Sequence, residues 1–100
     1  MKPETMKQLQ HLMNEYRRSG AKNYRRKQYE RLVFMLNDII QHEQIRGNEL
    51  QQLGRKHVIG FWRRHDDWSQ QTRKEYWQVL NVFYQRLGRF EPPKPKSKNL

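Results

Sequence analysis

The chain has 100 residues, of which 34% are hydrophobic, and it carries 21 lysines and arginines against 10 acids, a formal net charge of +11. That length accommodates one domain with a small core, and that charge makes polyanions the natural partner. With no cysteine there is no disulfide framework and no thiol nucleophile, and no apolar run approaches the roughly 20 residues of a membrane span.

In chain order, the spacing predicts a first helix over 4–18, where Met6, Leu9, Leu12, Met13 and Tyr16 recur at steps of three and four on one face. Pro3 suits a helix start, and Ser19-Gly20 supplies a stop. A second helix is expected from Lys22 or Asn23 to about Gln44. Asn23 would cap it, and Tyr29, Leu32, Val33, Leu36, Ile39 and Ile40 would face the core. Its opening turns read KNYRRKQYER, five cations to one acid, threaded with Tyr24 and Tyr29. Cations there oppose the helix macrodipole, and a local conflict of this kind marks a candidate functional surface.

Residues 45–54 read as a connector turning at Gly47-Asn48. A shorter third helix is expected over 55–65, with Val58, Phe61 and Trp62 inward, and Asp66-Asp67-Trp68 forms the next break. The fourth helix runs from about Ser69, a favoured cap, to Leu87, burying Tyr76, Val79, Leu80, Phe83 and Leu87, and Gly88 closes it. Beyond it, Glu91-Pro92-Pro93-Lys94-Pro95-Lys96-Ser97-Lys98 reads as an extended stretch that does not pack. The expectation is an all-α chain: a compact four-helix orthogonal bundle over 4–90 and a Pro/Lys-rich linker or tail over 91–100.

The four histidines, His11, His42, His57 and His65, are scattered without metal-ligand spacing, and Asp66-Asp67 reads as a solvated turn. No phosphate loop or nucleophile elbow is present, so no catalytic residue, metal site or cofactor is expected. Nucleic-acid binding has geometric support. Lys22, Arg25, Arg26 and Lys27 spread over the first turns of the second helix, whose rear half anchors in the core, and Tyr24 offers a stacking face beside them. On the fourth helix Gln70, Gln71, Arg73, Lys74, Trp77 and Gln78 fall on the exposed part of the first three turns, and Gln and Arg pair with adenine and guanine edges. A merely solvated helix face competes for that second set. Trp62 belongs to the core, while Trp77, beside the buried stripe, leaves its role open. Arg17-Arg18 and Arg63-Arg64 end their helices, where cations complement the dipole.

The blocks SGAKNYRRKQYERLVFMLNDI, LQQLGRKHVIGFWRRH and WSQQTRKEYWQVLNVFYQRLGRFEPPKPK resemble, in this order, the N-terminal core-binding domain of tyrosine recombinases, the phage integrase family. The third block carries Ser69-x-x-Thr72, then Tyr76, Leu80, Phe83 and a proline-containing exit, and the likeness runs from about Met6 to Lys96. Asn23 departs from it, standing where the family more often has Ser or Thr. The resemblance implies a SAM-like bundle forming half of a clamp around a recombination core site. Its second and fourth helices would cross the major groove, through Lys22, Arg25, Arg26 and Lys27 on one and Gln70, Gln71, Arg73, Lys74 and Gln78 on the other. It further implies a part in DNA integration or recombination, with double-stranded DNA as partner and a catalytic recombinase domain or other recombinase protomers alongside. The Pro-Lys stretch would be the linker to that catalytic domain. The family's catalytic arginines, histidine and tyrosine lie outside the likeness, so this chain, a fragment of an integrase or a free-standing relative, is expected to bind DNA without cutting it. Two other readings stay open: a basic protein-interaction module with an apolar patch around Trp77 and Tyr84, and an RNA-binding protein of a mobile element. The N-terminus, MKPETMKQLQ, lacks the apolar stretch of a signal peptide, so the expected location is the cytoplasm, at the nucleoid if the cell is bacterial.

Overall fold

Four helices account for every regular element in the computed structural model, which describes residues 1–96: α1 (Pro3–Arg18), α2 (Lys22–Glu43), α3 (Arg55–Arg64) and α4 (Gln70–Arg86). The Cα radius of gyration, 13.2 Å, is that of a compact chain of this length, for which about 13 Å is expected. Helix α2 packs against all three of the others.

Each helix is placed by its apolar stripe. Leu9, Met13 and Tyr16 of α1 are buried one turn apart, and Pro3 opens the helix where its missing N–H costs nothing. Gly20 then takes φ +70°, a left-handed conformation that lets α2 begin after only three intervening residues. Helix α2 starts a little earlier than an Asn23 cap would place it. Ala21 is the N-cap and offers no side-chain acceptor, so Asn23 lies inside the first turn. The buried stripe is also rotated from the expected one: Met35 is fully buried, whereas Val33 and Ile40 are only half-buried. A helix with three packing partners buries a wider arc than one stripe, and Met35 fills it.

The 45–54 connector contributes to the core through Ile45, Leu50 and Leu53. The Gly54 backbone N–H donates to Nδ1 of His57 at 2.8 Å and so fastens the start of α3. Val58, Phe61 and Trp62 face inward as expected. Ser69 caps α4, its Oγ accepting from the Thr72 N–H at 3.1 Å. Beneath α3, Asp38 accepts from Nε and Nη2 of Arg64 at 3.0 and 2.7 Å and faces Nε2 of His65 at 3.0 Å, while Arg64 also reaches Glu43 at 2.8 Å. Burial alone raises a carboxyl pKa, but these donors outweigh it and hold Asp38 below the usual range. Glu49, 5% exposed, shows the same balance: burial opposes ionisation, and the Thr5 hydroxyl, the Lys2 N–H and the N-terminal ammonium overcome it.

The expectation that the stretch after α4 does not pack fails. The stretch after α4 is extended, but it lies down on the bundle. Trp77 Nε1 donates to the Pro92 carbonyl at 3.1 Å, Trp62 Nε1 to the Pro93 carbonyl at 2.9 Å, and Arg73 Nη2 to the Lys96 carbonyl at 3.0 Å. Prolines lack a donor but keep their carbonyls, and two indoles and a guanidinium take up three carbonyls of the strap. The expected tail beyond Lys96, Ser97 to Leu100, lies outside the described residues.

Candidate nucleic-acid interface

The three-residue connection forces the end of α1 against the start of α2, and two reciprocal contacts lock the corner. Arg25 of α2 sits over the Tyr16 ring of α1 at 4.4 Å, and Arg17 of α1 sits over the Tyr29 ring of α2 at 4.3 Å. Arg25 Nη1 also donates to the Tyr16 carbonyl at 3.0 Å and to Ser19 Oγ at 2.8 Å, satisfying a carbonyl of the last turn of α1. Burial raises the pKa of both tyrosines, an effect the facing arginines partly reverse, so both rings stay neutral at physiological pH.

Around this corner Arg17, Arg18, Lys22, Arg26 and Lys27 are exposed, and Tyr24 is 48% exposed among them. Two acids come near. Glu30 stands 3.9 Å from Arg26 with both side chains in solvent, a pair that contributes little, and Glu15 binds Arg86 from the last turn of α4 at 3.0 Å. Five cations thus converge on one corner with little neutralisation. Three of them come from the α2 run; Arg17 and Arg18, which read as ordinary helix-end cations, join through the short connection.

Of the α2 set, Lys22, Tyr24, Arg26 and Lys27 are free to meet a ligand, while Arg25 is spent on holding the corner together. The residue the charged run conceals is Gln28, 1% exposed, which donates from Nε2 to the Glu75 carbonyl of α4 at 3.0 Å and accepts from Arg31.

The α4 set falls elsewhere. Arg31 pairs with Glu75 at 3.0 Å, and Phe34 lies against Tyr76 and Trp68, so the start of α4 faces the middle of α2. The second turn of α4 thus packs on the second and third turns of α2, at Gln28 and Arg31. Arg73, expected on the exposed face, is 3% exposed because the strap covers it. Trp77 is half-buried under the same strap, with Lys94 Nζ 5.1 Å from its ring centre. Gln70, Gln71, Lys74 and Gln78 remain exposed, and Gln71 donates to Glu75 at 3.2 Å.

The expected apolar patch around Trp77 and Tyr84 is not formed either, since Tyr84 is buried. An exposed aromatic surface occurs instead at Phe34, 46% exposed, whose ring meets His65, Trp68 and Tyr76. The signal for it was a phenylalanine placed off the core stripe of α2. Among the described residues, no group of three or more histidines and acids could hold a metal ion, and no helix is long and apolar enough to cross a membrane. No protein-family model, no curated protein and no solved structure matches this chain.

Proposed function

We propose that this protein binds duplex DNA through the α1–α2 corner, as a core-binding module of the kind tyrosine recombinases use in DNA integration or recombination. The observation that carries the reading is the corner itself: five exposed cations and Tyr24 on a scaffold stiffened by the crossed Arg25–Tyr16 and Arg17–Tyr29 contacts. Such an array fits phosphates along one backbone strand, and phosphate contacts set position without reading sequence. Gln70, Gln71, Lys74 and Gln78 form a second polar surface, to which we assign a secondary role in contacting DNA; Arg73 and Trp77 support the strap beside it. Such a role places the protein in the cytoplasm, at the nucleoid in a bacterium, with recombinase protomers or a catalytic recombinase domain as its protein partners.

A competition assay tests this. Labelled duplex is challenged with unlabelled duplex, single-stranded DNA and structured RNA over a salt series. Duplex should compete best, and preference for structured RNA or single strands would overturn the reading. The exposed Phe34 surface favours one alternative, a protein-interaction module; its mark would be weak, indiscriminate competition by all three nucleic acids and loss of a protein contact on Phe34→Ser.

A further inference from the structure

Under the strap lies a cavity of about 910 Å³ between α3, α4 and residues 91–96. Its charged wall is Arg55, Arg63, Arg73, Lys94 and Lys96, against two acids, Asp66 and Glu91. Glu91 is already engaged by Lys94 at 3.4 Å, and among the described residues none of the three arginines pairs with a carboxylate. The floor and lid are apolar: Ile59 and Trp62 on one side, Pro92 and Pro93 on the other.

Arg73 makes the arrangement more than a charged surface. It is 97% removed from solvent by its 3% exposure, its Nη2 is held by the Lys96 carbonyl, and its Nε–H has no partner among the described residues. A buried guanidinium donor left unmatched loses its hydration without a return, so the site is short of one acceptor. Next to it a smaller cavity, about 390 Å³, shares Arg55, Glu91 and Pro93, and is bordered by Tyr84, whose buried hydroxyl is likewise unmatched. Two orphaned polar groups thus border two adjoining cavities along one strap.

We infer that the larger cavity is a binding site for a small organic phosphate of about mononucleotide size. The phosphate would accept from the exposed guanidiniums of Arg55 and Arg63 beside the buried charge of Arg73, and the organic body would rest on Ile59 and the strap prolines. Arginine forks match phosphate oxygens, and the lined volume lies in the range of pockets that enclose such ligands. The phosphate has two sources, a free nucleotide or the 5′-phosphorylated end of a nucleic acid. No residue of α1 or α2 lines the cavity, so the inference does not rest on the DNA reading.

The indole N–H groups of Trp62 and Trp77, both bonded to the strap, are built-in NMR reporters. The full chain is titrated with adenosine 5′-monophosphate, adenosine, inorganic phosphate, and a short oligonucleotide with a 5′-phosphate or a 5′-hydroxyl. Saturable shifts of both indole signals with the monophosphate or with the 5′-phosphorylated oligonucleotide are expected, each naming its source, with adenosine inert and inorganic phosphate weaker. Arg55→Ala with Arg63→Ala, both on exposed side chains, should weaken binding about tenfold or more while leaving the melting temperature unchanged. Lys7→Ala with Arg46→Ala, exposed and outside the cavity wall, should leave it intact. No saturable shift, equal response to inorganic phosphate and the monophosphate, or unaltered affinity in the Arg55/Arg63 variant would overturn the inference.

Discussion

Replacing Lys22, Arg26 and Lys27 together with alanine is the sharpest probe of the α1–α2 corner. With five exposed cations each neutralising one phosphate, the logarithm of affinity should fall against the logarithm of salt with a slope of about −4.5, and removing three should leave about −1.8. Across a fourfold rise in salt, wild type would lose roughly 500-fold in affinity and the variant roughly 12-fold. Folding should survive. All three side chains are exposed, the Arg26–Glu30 pair is long and solvated, and the removed cations sit where the α2 dipole disfavours them. Fluorescence anisotropy with a labelled duplex at several salt concentrations gives the slopes, and circular dichroism checks the fold. A second variant controls for net charge: Lys7, Arg46 and Lys56, also exposed, replaced by alanine. Should that control flatten the slope as much as the corner variant does, attraction would be general and the corner would hold no special place.

Three further outcomes follow from the packing. Arg25→Ala should cost about 2 kcal/mol, roughly 10 °C in the thermal midpoint, because it removes two hydrogen bonds and the contact with Tyr16; a neutral result in a melting experiment would return Arg25 to the list of free cations. Gly60→Ala should destabilise, since a Cβ there would meet Glu43 Oε2 at 2.6 Å and displace the Glu43–Arg64 pair, but in a Glu43→Ala background, where Arg64 Nη1 at 3.2 Å has lost its Glu43 partner and can give way, it should stabilise by up to about 1 kcal/mol through helix propensity; denaturant titration of the four chains checks the reversal of sign. Asp38 releases its proton more readily folded than unfolded, so its contribution is present in full above about pH 4 and is lost as pH falls through its lower native value. Asp38→Asn should therefore be less stable than wild type at about pH 6, with the gap closing as pH falls below about 4; parallel stability curves in urea would refute the assignment.

Helix positions were legible because spacing alone decides them. Leu9, Met13 and Tyr16, then Val58, Phe61 and Trp62, recur at helical steps and are buried, and Ser69 caps α4 as its residue type dictates. What spacing does not carry is which polar residue another element will cover. Gln28 sits in the most charged run of the chain and is 1% exposed, because a backbone carbonyl of α4 arrives over it. Arg73 stands between Thr72 and Lys74 on what periodicity marks as an open face, and a segment 23 residues later closes over it. That closure was hidden because three prolines among lysines resemble a solvated linker. The carbonyls that Trp62, Trp77 and Arg73 use carry no sequence signature at all.

The placement of charge at the corner bears on its purpose. Helix α1 follows the dipole, with Glu4 in its first turn and Arg17-Arg18 in its last, and α4 has a serine cap. Helix α2 does the reverse: no acid lies in its first turn, Ala21 gives no side-chain acceptor, and Lys22, Arg26 and Lys27 stand exposed in its first two turns. Charge needed for solubility alone would sit with less strain on the C-terminal turn of α2, where His42 is the lone basic residue. A phosphate drawn to Lys22, Arg26 and Lys27 reverses the local field, because an anion beside those N–H groups is favoured by the dipole and by the side chains together. The same cations that weaken the free helix would then hold both the ligand and the first turn in place.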